Sequence, residues 1–538
     1  MLLAKDNQMS INKNIMLKRF PPIAEAEEHK DKLNPAIRLY GRRFYKDQTP
    51  LEYLAEFLLV FASPKSRSEN QNNAYSLSLS LNDGFACYWP EDHVALKLFS
   101  FFPSSKLETR HPVHQKNYLQ AIDAIKARIP GSDEEQNIAV RLIQSLFFGF
   151  VGVAKARTWV TYTFLPASVS LLAREVTWNH PAAVKRSKKI EVTDWDSSTE
   201  YFDSSTHNFM GRGGELLFLQ LANLFSNENL PDIDCNIYHH LYNLQLSDLR
   251  DCIESSLRKI LNESIEPLGE LVNFIESSLI DYKLPQKKGN ETRLGWVPSV
   301  TRPEALLFAT ELKNICTSTV GSLEKLELLQ LLCTMQVLRS LCFQACRIIE
   351  YEIQIEGFMG NYAWIITDPK SDSGMPMRKI AQKSLERIES LLFRAIRSPH
   401  LGIVSAEDLK NGDDNCFRLF RKFAKELGLV IPLTGRGQRF VLPPHLLRFL
   451  VAALLAPGER VRLTEFYART FAHYGIALGD RQLAAALAWS GNESGNKDYA
   501  VAADTAWIEE ALQQGGFLVE LSDAVSIVHN PGGKEQRA

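Results

Sequence analysis

The residues best equipped for chemistry lie between positions 232 and 240. Asp232, Asp234, Cys235, His239 and His240 are all metal-ligating types within nine residues. Adjacent histidines point in different directions on a helix or a strand, and no second half of a ligand set follows, so no metal is expected there. Glu350, Glu352 and Glu356 resemble part of a nuclease carboxylate set, but no lysine follows at Glu-x-Lys spacing. A salt-bridged helix end is the simpler reading. His114-Gln115-Lys116 matches the short core of phospholipase-D-type nucleases, yet Ala121 stands where that chemistry requires an aspartate. Arg110 to His114 falls at a loop-to-helix junction.

Phosphate handling fares no better. No Gly-x4-Gly-Lys-Ser/Thr loop occurs, and no Gly-x-Ser-x-Gly elbow. Gly211-Arg212-Gly213-Gly214-Glu215 precedes the apolar run Leu216 to Leu221. Arg212, Gly213 and Gly214 are therefore a candidate anion cradle, since glycines before a helix expose backbone N–H groups. With no preceding strand and no lysine, a structural turn is the favoured reading. No catalytic residue and no cofactor is expected.

The elements that position the remaining candidates form an internal repeat. Gly428-Leu429-Val430-Ile431-Pro432-Leu433-Thr434 aligns with Gly516-Phe517-Leu518-Val519-Glu520-Leu521-Ser522, and each stretch runs on to a proline, Pro443 and Pro531. Every residue of the second lies 88 positions after its counterpart in the first. Each follows an amphipathic helix and reads as a hairpin, the helix-then-wing pattern of a winged helix. In the first copy the expected elements are a helix at Ser384–Arg397, a short strand at Gly402–Val404, a helix capped by Ser405, a helix at Asp414–Leu427 and a hairpin at Leu429–Leu442. In the second they are Pro444–Ala456, a strand at Arg460–Leu463, a helix capped by Thr464, Asp480–Ser490, Asp504–Gln514 and the hairpin.

Charge separates the copies. Arg418, Arg421, Lys422, Lys425, Arg436 and Arg439 oppose only Asp414 and Glu426, and fall on the solvent face of the third helix and at the wing tip. These six are the candidate DNA-binding residues, for double-stranded DNA. Docking of an acidic protein accounts for the same face equally well. The second copy carries Asp504, Glu509, Glu510, Glu520 and Asp523 with no basic residue between them, which phosphates would repel.

The chain has 538 residues, 45% of them hydrophobic and 23% charged, with a net charge of −2. It is too long for one core, and any affinity for nucleic acid must come from a local patch. Five segments are expected: a mixed α/β region 1–110, a helical domain 111–285, a helical domain 286–377, a basic winged helix 378–443 and an acidic, expanded one 444–531. The fold class is mainly α and multidomain, with a small N-terminal α/β portion and tandem C-terminal winged helices. In the first segment, Thr49 caps a helix from Pro50, and Ala74–Leu81 alternates like a strand. Ser322–Glu352 reads as a central buried helix. Leu142–Ala154 is too short to span a membrane and reads as a second buried helix. The eight cysteines are scattered without a Cys-x-x-Cys pair, as reduced core thiols are. No signal peptide opens the chain, so a soluble, cytoplasmic protein is expected.

Two stretches, His207 to Leu216 and the run from Leu442-Pro443-Pro444-His445 through His473-Tyr474-Gly475-Ile476, resemble segments of uncharacterised accessory proteins from bacterial multi-gene anti-phage defence systems. The resemblance implies a non-catalytic subunit working beside an ATPase, helicase or nuclease encoded nearby, and it transfers no functional residue. The expected function is thus DNA binding and assembly within a multi-protein complex. The alternatives are a pure protein–protein scaffold and a cryptic metal-dependent nuclease.

Overall fold

Helices dominate the chain because apolar residues recur at helical spacing behind strong start signals. The computed structural model describes residues 17–531 except for 23–33, 100–118, 153–162, 179–201, 204–212, 280–290, 350–354, 491–504 and some shorter stretches. The helices are α1 (Pro35–Tyr40), α2 (Pro50–Ala62), α3 (Asp133–Phe148), α4 (Gly213–Phe225), α5 (Leu246–Asn262), α6 (Glu266–Ser278), α7 (Arg302–Thr317) and α8 (Ser322–Ile349). They continue as α9 (Pro376–Ala395), α10 (Ala406–Asp414), α11 (Phe417–Glu426), α12 (Pro444–Leu454), α13 (Leu463–Tyr474), α14 (Asp480–Trp489) and α15 (Ala506–Gln514). The strands between them are few and short.

Local signals set the helix starts. Thr49 and Ser132 each close a reciprocal capping box, with Glu52 and Glu135, and Ser405 accepts from the Asp408 N–H. Thr464 does not cap: α13 begins at Leu463, leaving Thr464 inside the helix. Ala74–Leu81 is not a strand. Only its last residue enters one, Leu81–Asn82, which pairs with Phe85–Tyr88. The segment Leu142–Ala154 is not a buried helix either. It is helical only to Phe148, and Leu142, Leu146 and Phe148 are exposed, because α3 is apolar on two faces and packs one.

The chain divides into two compact units, each assembled from separated stretches. One comprises residues 47–215 and 257–294. Its core gathers Tyr53, Phe57 and Phe61 of α2 with Cys87 and Tyr88. Phe85–Tyr88 is the middle strand of a three-stranded antiparallel sheet, between Leu81–Asn82 and Thr292–Arg293.

The other unit comprises residues 1–46, 216–256 and 295–538. Helix α8 runs through its centre against α7, α9, α11 and α12. By length and composition α8 is apolar enough to cross a membrane, but 83% of its most apolar window is buried within the fold. Arg339 sits in the middle of this apolar helix, fully buried. Its guanidinium donates twice to Glu311 of α7, at 2.7 and 2.8 Å, and once each to Gln336 and the His473 carbonyl. It also lies 4.6 Å from the centre of the Tyr474 ring. Gln336 donates onward to Gln220, and Gln220 to Ser340. Burial works against both charges, and their mutual attraction overrides it, holding Arg339 up and Glu311 below its ordinary value.

The 88-residue repeat is a repeat of backbone geometry. In the first copy the pair Val430–Ile431 and Arg439–Phe440 sets Val430 against Phe440; in the second, Leu518–Ser522 and Val525–His529 set Leu518 against Val528. Val441 N–H donates to the Leu429 carbonyl at 2.9 Å and His529 N–H to the Phe517 carbonyl at 2.9 Å, again 88 residues apart. Gly428 and Gly516 end the preceding helices at φ of +72° and +73°, the left-handed region that glycine enters freely.

The third strand differs. In the second copy Arg460–Arg462 pairs antiparallel with Val525–His529, giving the order 460–462, 525–529, 518–522. In the first copy Gly402–Val404 forms no strand: Gly402 is left-handed and Ile403 is fully exposed. The place beside Val441 is already taken by Thr367, in a parallel bridge. Just upstream, Trp364–Ile365 pairs in parallel with Ile476–Ala477 of the second copy.

Removing one member of the buried ion pair leaves the other charge unpaired in hydrocarbon. Arg339→Leu or Glu311→Leu is expected to cost about 3–5 kcal/mol, and the double substitution less than either alone. Urea unfolding of the four proteins measures this; additive losses would show that the two groups are not coupled.

Candidate nucleic-acid interface

Helix α11 buries Leu419, Phe420, Phe423 and Ala424 and turns its basic residues outward. Arg418, Lys422 and Lys425, spaced four and three apart, share one stripe on the solvent side. Most of these cations already face a carboxylate. Arg418 is 2.5 Å from Asp414, Lys422 is 3.8 Å from Glu426, and Arg421 forms a two-pronged pair with Glu389 of α9. Lys425 is held below its ordinary value by partial desolvation and by the charge of Arg421 beside it.

The hairpin separates the last two candidates. Arg436 is exposed at the tip between Gly435 and Gly437, both left-handed at +89° and +76°. Arg439 is not at the tip. It is buried, its guanidinium donating to the Pro369 carbonyl at 3.2 Å, because the segment that follows Thr367 lies over this strand. The structure thus gathers Arg418, Lys422 and Lys425 on one helix face, places Arg436 at the exposed loop, ties Arg421 to α9 and removes Arg439 to the interior.

The second copy replaces these basic residues with neutral or acidic ones. The counterparts of Arg418, Arg421, Lys422 and Lys425 are Ala506, Glu509, Glu510 and Gln513 of α15. The inward positions stay apolar: Phe420 and Ala424 correspond to Ile508 and Leu512, all buried.

The glycine pair has a different role from an anion cradle. Arg212 lies outside the described residues. The Gly213 and Gly214 N–H groups at the start of α4 point at internal acceptors, Gln48 Oε1 and Glu56 Oε2, both at 3.0 Å. A Cβ on Gly213 would overlap the Tyr53 ring, and one on Gly214 would meet Tyr53 and Glu56. Glycine is required by close approach of α2, and a carboxylate of the protein itself occupies the helix start. Burial pushes the Glu56 carboxyl well above its ordinary range, opposed by Gln48 and the Gly214 N–H.

The candidate ligands at 232–240 also find partners within the fold. His239 is 3.5 Å from Glu465, and Cys235 lies outside the described residues. His240 stacks on His473 with the two Nε2 atoms 3.1 Å apart, and His473 Nδ1 is 2.7 Å from Glu311. With Nδ1–H given to Glu311, His473 Nε2 accepts from His240, leaving the buried His240 Nδ1 as an acceptor with no hydrogen-bond partner. Among the described residues no group of three or more His, Cys, Asp or Glu side chains is arranged to hold a metal. Sequence reasoning missed the Glu311–His473–His240 line, whose members lie far apart in the chain.

Two measurements follow. Gly213→Ala is expected to destabilise by about 1–3 kcal/mol through overpacking against Tyr53. Gly321→Ala, where a Cβ meets nothing within 4 Å, should stay within about 0.5 kcal/mol of the parent; equal effects in thermal melts would refute the steric account. The histidines give a pH dependence. Burial holds His473 below its ordinary value, and burial with the charges of His473, Arg469 and His239 pushes His240 down to about 2. The unfolded chain therefore takes up protons first, and stability falls as pH drops below about 6.5, the ordinary histidine value, toward the folded values. His240→Asn should flatten that decline in urea midpoints between about pH 7 and pH 4.

Comparison of the chain with protein-family models, with curated proteins and with solved structures finds no match.

Proposed function

We propose that this chain is a non-catalytic binding and assembly subunit ending in two winged helices, the first of which contacts double-stranded DNA. The observation that carries the reading is the stripe Arg418–Lys422–Lys425 with Arg436 at the neighbouring hairpin tip, replaced on the second copy by neutral and acidic residues. A helix face plus an exposed basic loop is how a winged helix meets groove and backbone. The carboxylates beside Arg418 and Lys422 are weak competitors, because surface ion pairs contribute little and phosphates can displace them. The acidic face of α15 and the helical middle then serve protein contacts within a cytoplasmic complex. The ATPase, helicase or nuclease implied by the resemblance of His207–Leu216 and Leu442–Ile476 is the partner class proposed.

A second reading, a protein scaffold with no DNA affinity, draws on one specific observation: Arg418, Arg421 and Lys422 each already have a carboxylate partner. A salt titration of binding to short duplex DNA separates the two. The parent protein should lose affinity steeply with salt, and Lys425→Ala with Arg436→Ala should flatten the logarithmic slope by about two. Arg439→Ala should lower stability and leave the slope unchanged. Absence of binding at low salt would leave the scaffold, and DNA cleavage on adding magnesium or manganese would revive the nuclease alternative.

A further inference from the structure

Two guanidiniums of the larger unit converge on one turn. Arg439 donates to the Pro369 carbonyl at 3.2 Å, and Arg378, in the first turn of α9, reaches back to the Ser371 carbonyl at 3.1 Å. Phe440 packs against Trp364 and Phe420, so its neighbour Arg439 stands on the outer face of the strand, beneath the turn. Arg439 is only 3% exposed, and its Nε is buried with no hydrogen-bond partner. Among the described residues neither guanidinium lies within ion-pair distance of a carboxylate. Two adjacent cations, one of them buried, thus rest on neutral carbonyls alone.

The surroundings favour an anion. Burial holds the Arg439 guanidinium below its ordinary value, the charge of Arg378 lowers it further, and Asp368 opposes this with a smaller effect. Asp368 also accepts the Lys370 N–H, and Asp372 is exposed. Helix α9 starts after Met375, which offers no side-chain cap, and its first turn holds no acidic residue, so its dipole adds positive potential here. A carbonyl holds a guanidinium about half as strongly as an ionised acceptor does. An anion therefore takes both guanidiniums from the carbonyls and lifts the turn, while the Thr367 N–H to Phe440 carbonyl bond keeps the chain anchored below it. A phosphate monoester carries about −1.5 to −2 charges at pH 7 and is compact. A backbone phosphate of duplex DNA carries one charge and is held in a rigid helix, which suits a site under a turn less well.

We propose that Arg378 and Arg439, meeting beside the start of α9, form a binding site for one phosphate group, free or as a monoester, with the turn 368–371 as its cover. Thermal melts of the full chain in orthophosphate, or in a nucleoside monophosphate, against chloride at constant ionic strength test it. The expected result is a saturable rise in melting temperature at millimolar concentration. A rise with orthophosphate alone assigns the free ion, and a rise with both assigns the monoester class. Arg378→Gln, at a half-buried helix position, should keep the fold and raise the half-saturating concentration about tenfold. Arg439→Gln should abolish the rise, and Lys422→Gln on α11 should leave it intact. A parent chain indifferent to both phosphates would overturn the proposal, as would a rise undiminished in Arg378→Gln. Neither outcome bears on duplex binding by the Arg418–Lys425 stripe.

Discussion

A guanidinium with no exposed surface holds the larger unit in register. Taking Arg339 out of water is tolerable only because Glu311 meets it with both oxygens and Gln336 and the His473 carbonyl take up further N–H groups. Apolar contacts along α8 are non-directional, so α8 could rotate or slide with modest loss if they acted alone. A turn of one residue about its axis would drive the Arg339 charge into hydrocarbon. Glu311 also receives His473, so the same carboxylate anchors α7, α8 and α13 and, through His240, the turn that precedes α5. The cost is sensitivity to acid, since burial and the neighbouring positive charges oppose a second proton on either imidazole.

The repeat shows how little of a surface is dictated by a backbone. The two hairpins share register, a helix-ending left-handed glycine and a closing hydrogen bond, while the outward helix positions change from Arg, Arg, Lys and Lys to Ala, Glu, Glu and Gln. Inward positions tolerate only apolar exchange, because the core fills that side. Outward positions are limited by solubility and by whatever they touch, which leaves them able to diverge in charge.

What could be read from the sequence was local. Capping by Thr49 and Ser405 acts over three residues, and the repeat is visible because its spacing is gapless. Helix α8 announced its burial by being apolar all round. The rest depended on partners distant in sequence. Gly402–Val404 looked like a strand, but Thr367 had taken its place. Arg439 looked like a hairpin-tip cation, but the overlying segment at Pro369 covers it. Gly213 and Gly214 signalled a demand on the backbone correctly, and the demand came from the Tyr53 ring rather than from an anion. Glu311 and His473 are 162 residues apart, and no local pattern marks such a pair.

The short segment Trp364–Thr367 has a larger consequence than its length suggests. It pairs with Ile476–Ala477 of one copy and bridges Val441 of the other. A single piece of chain thus splints the two copies. Excising residues beyond 378 as an independent module would strip away that splint and leave a strand edge open on each half.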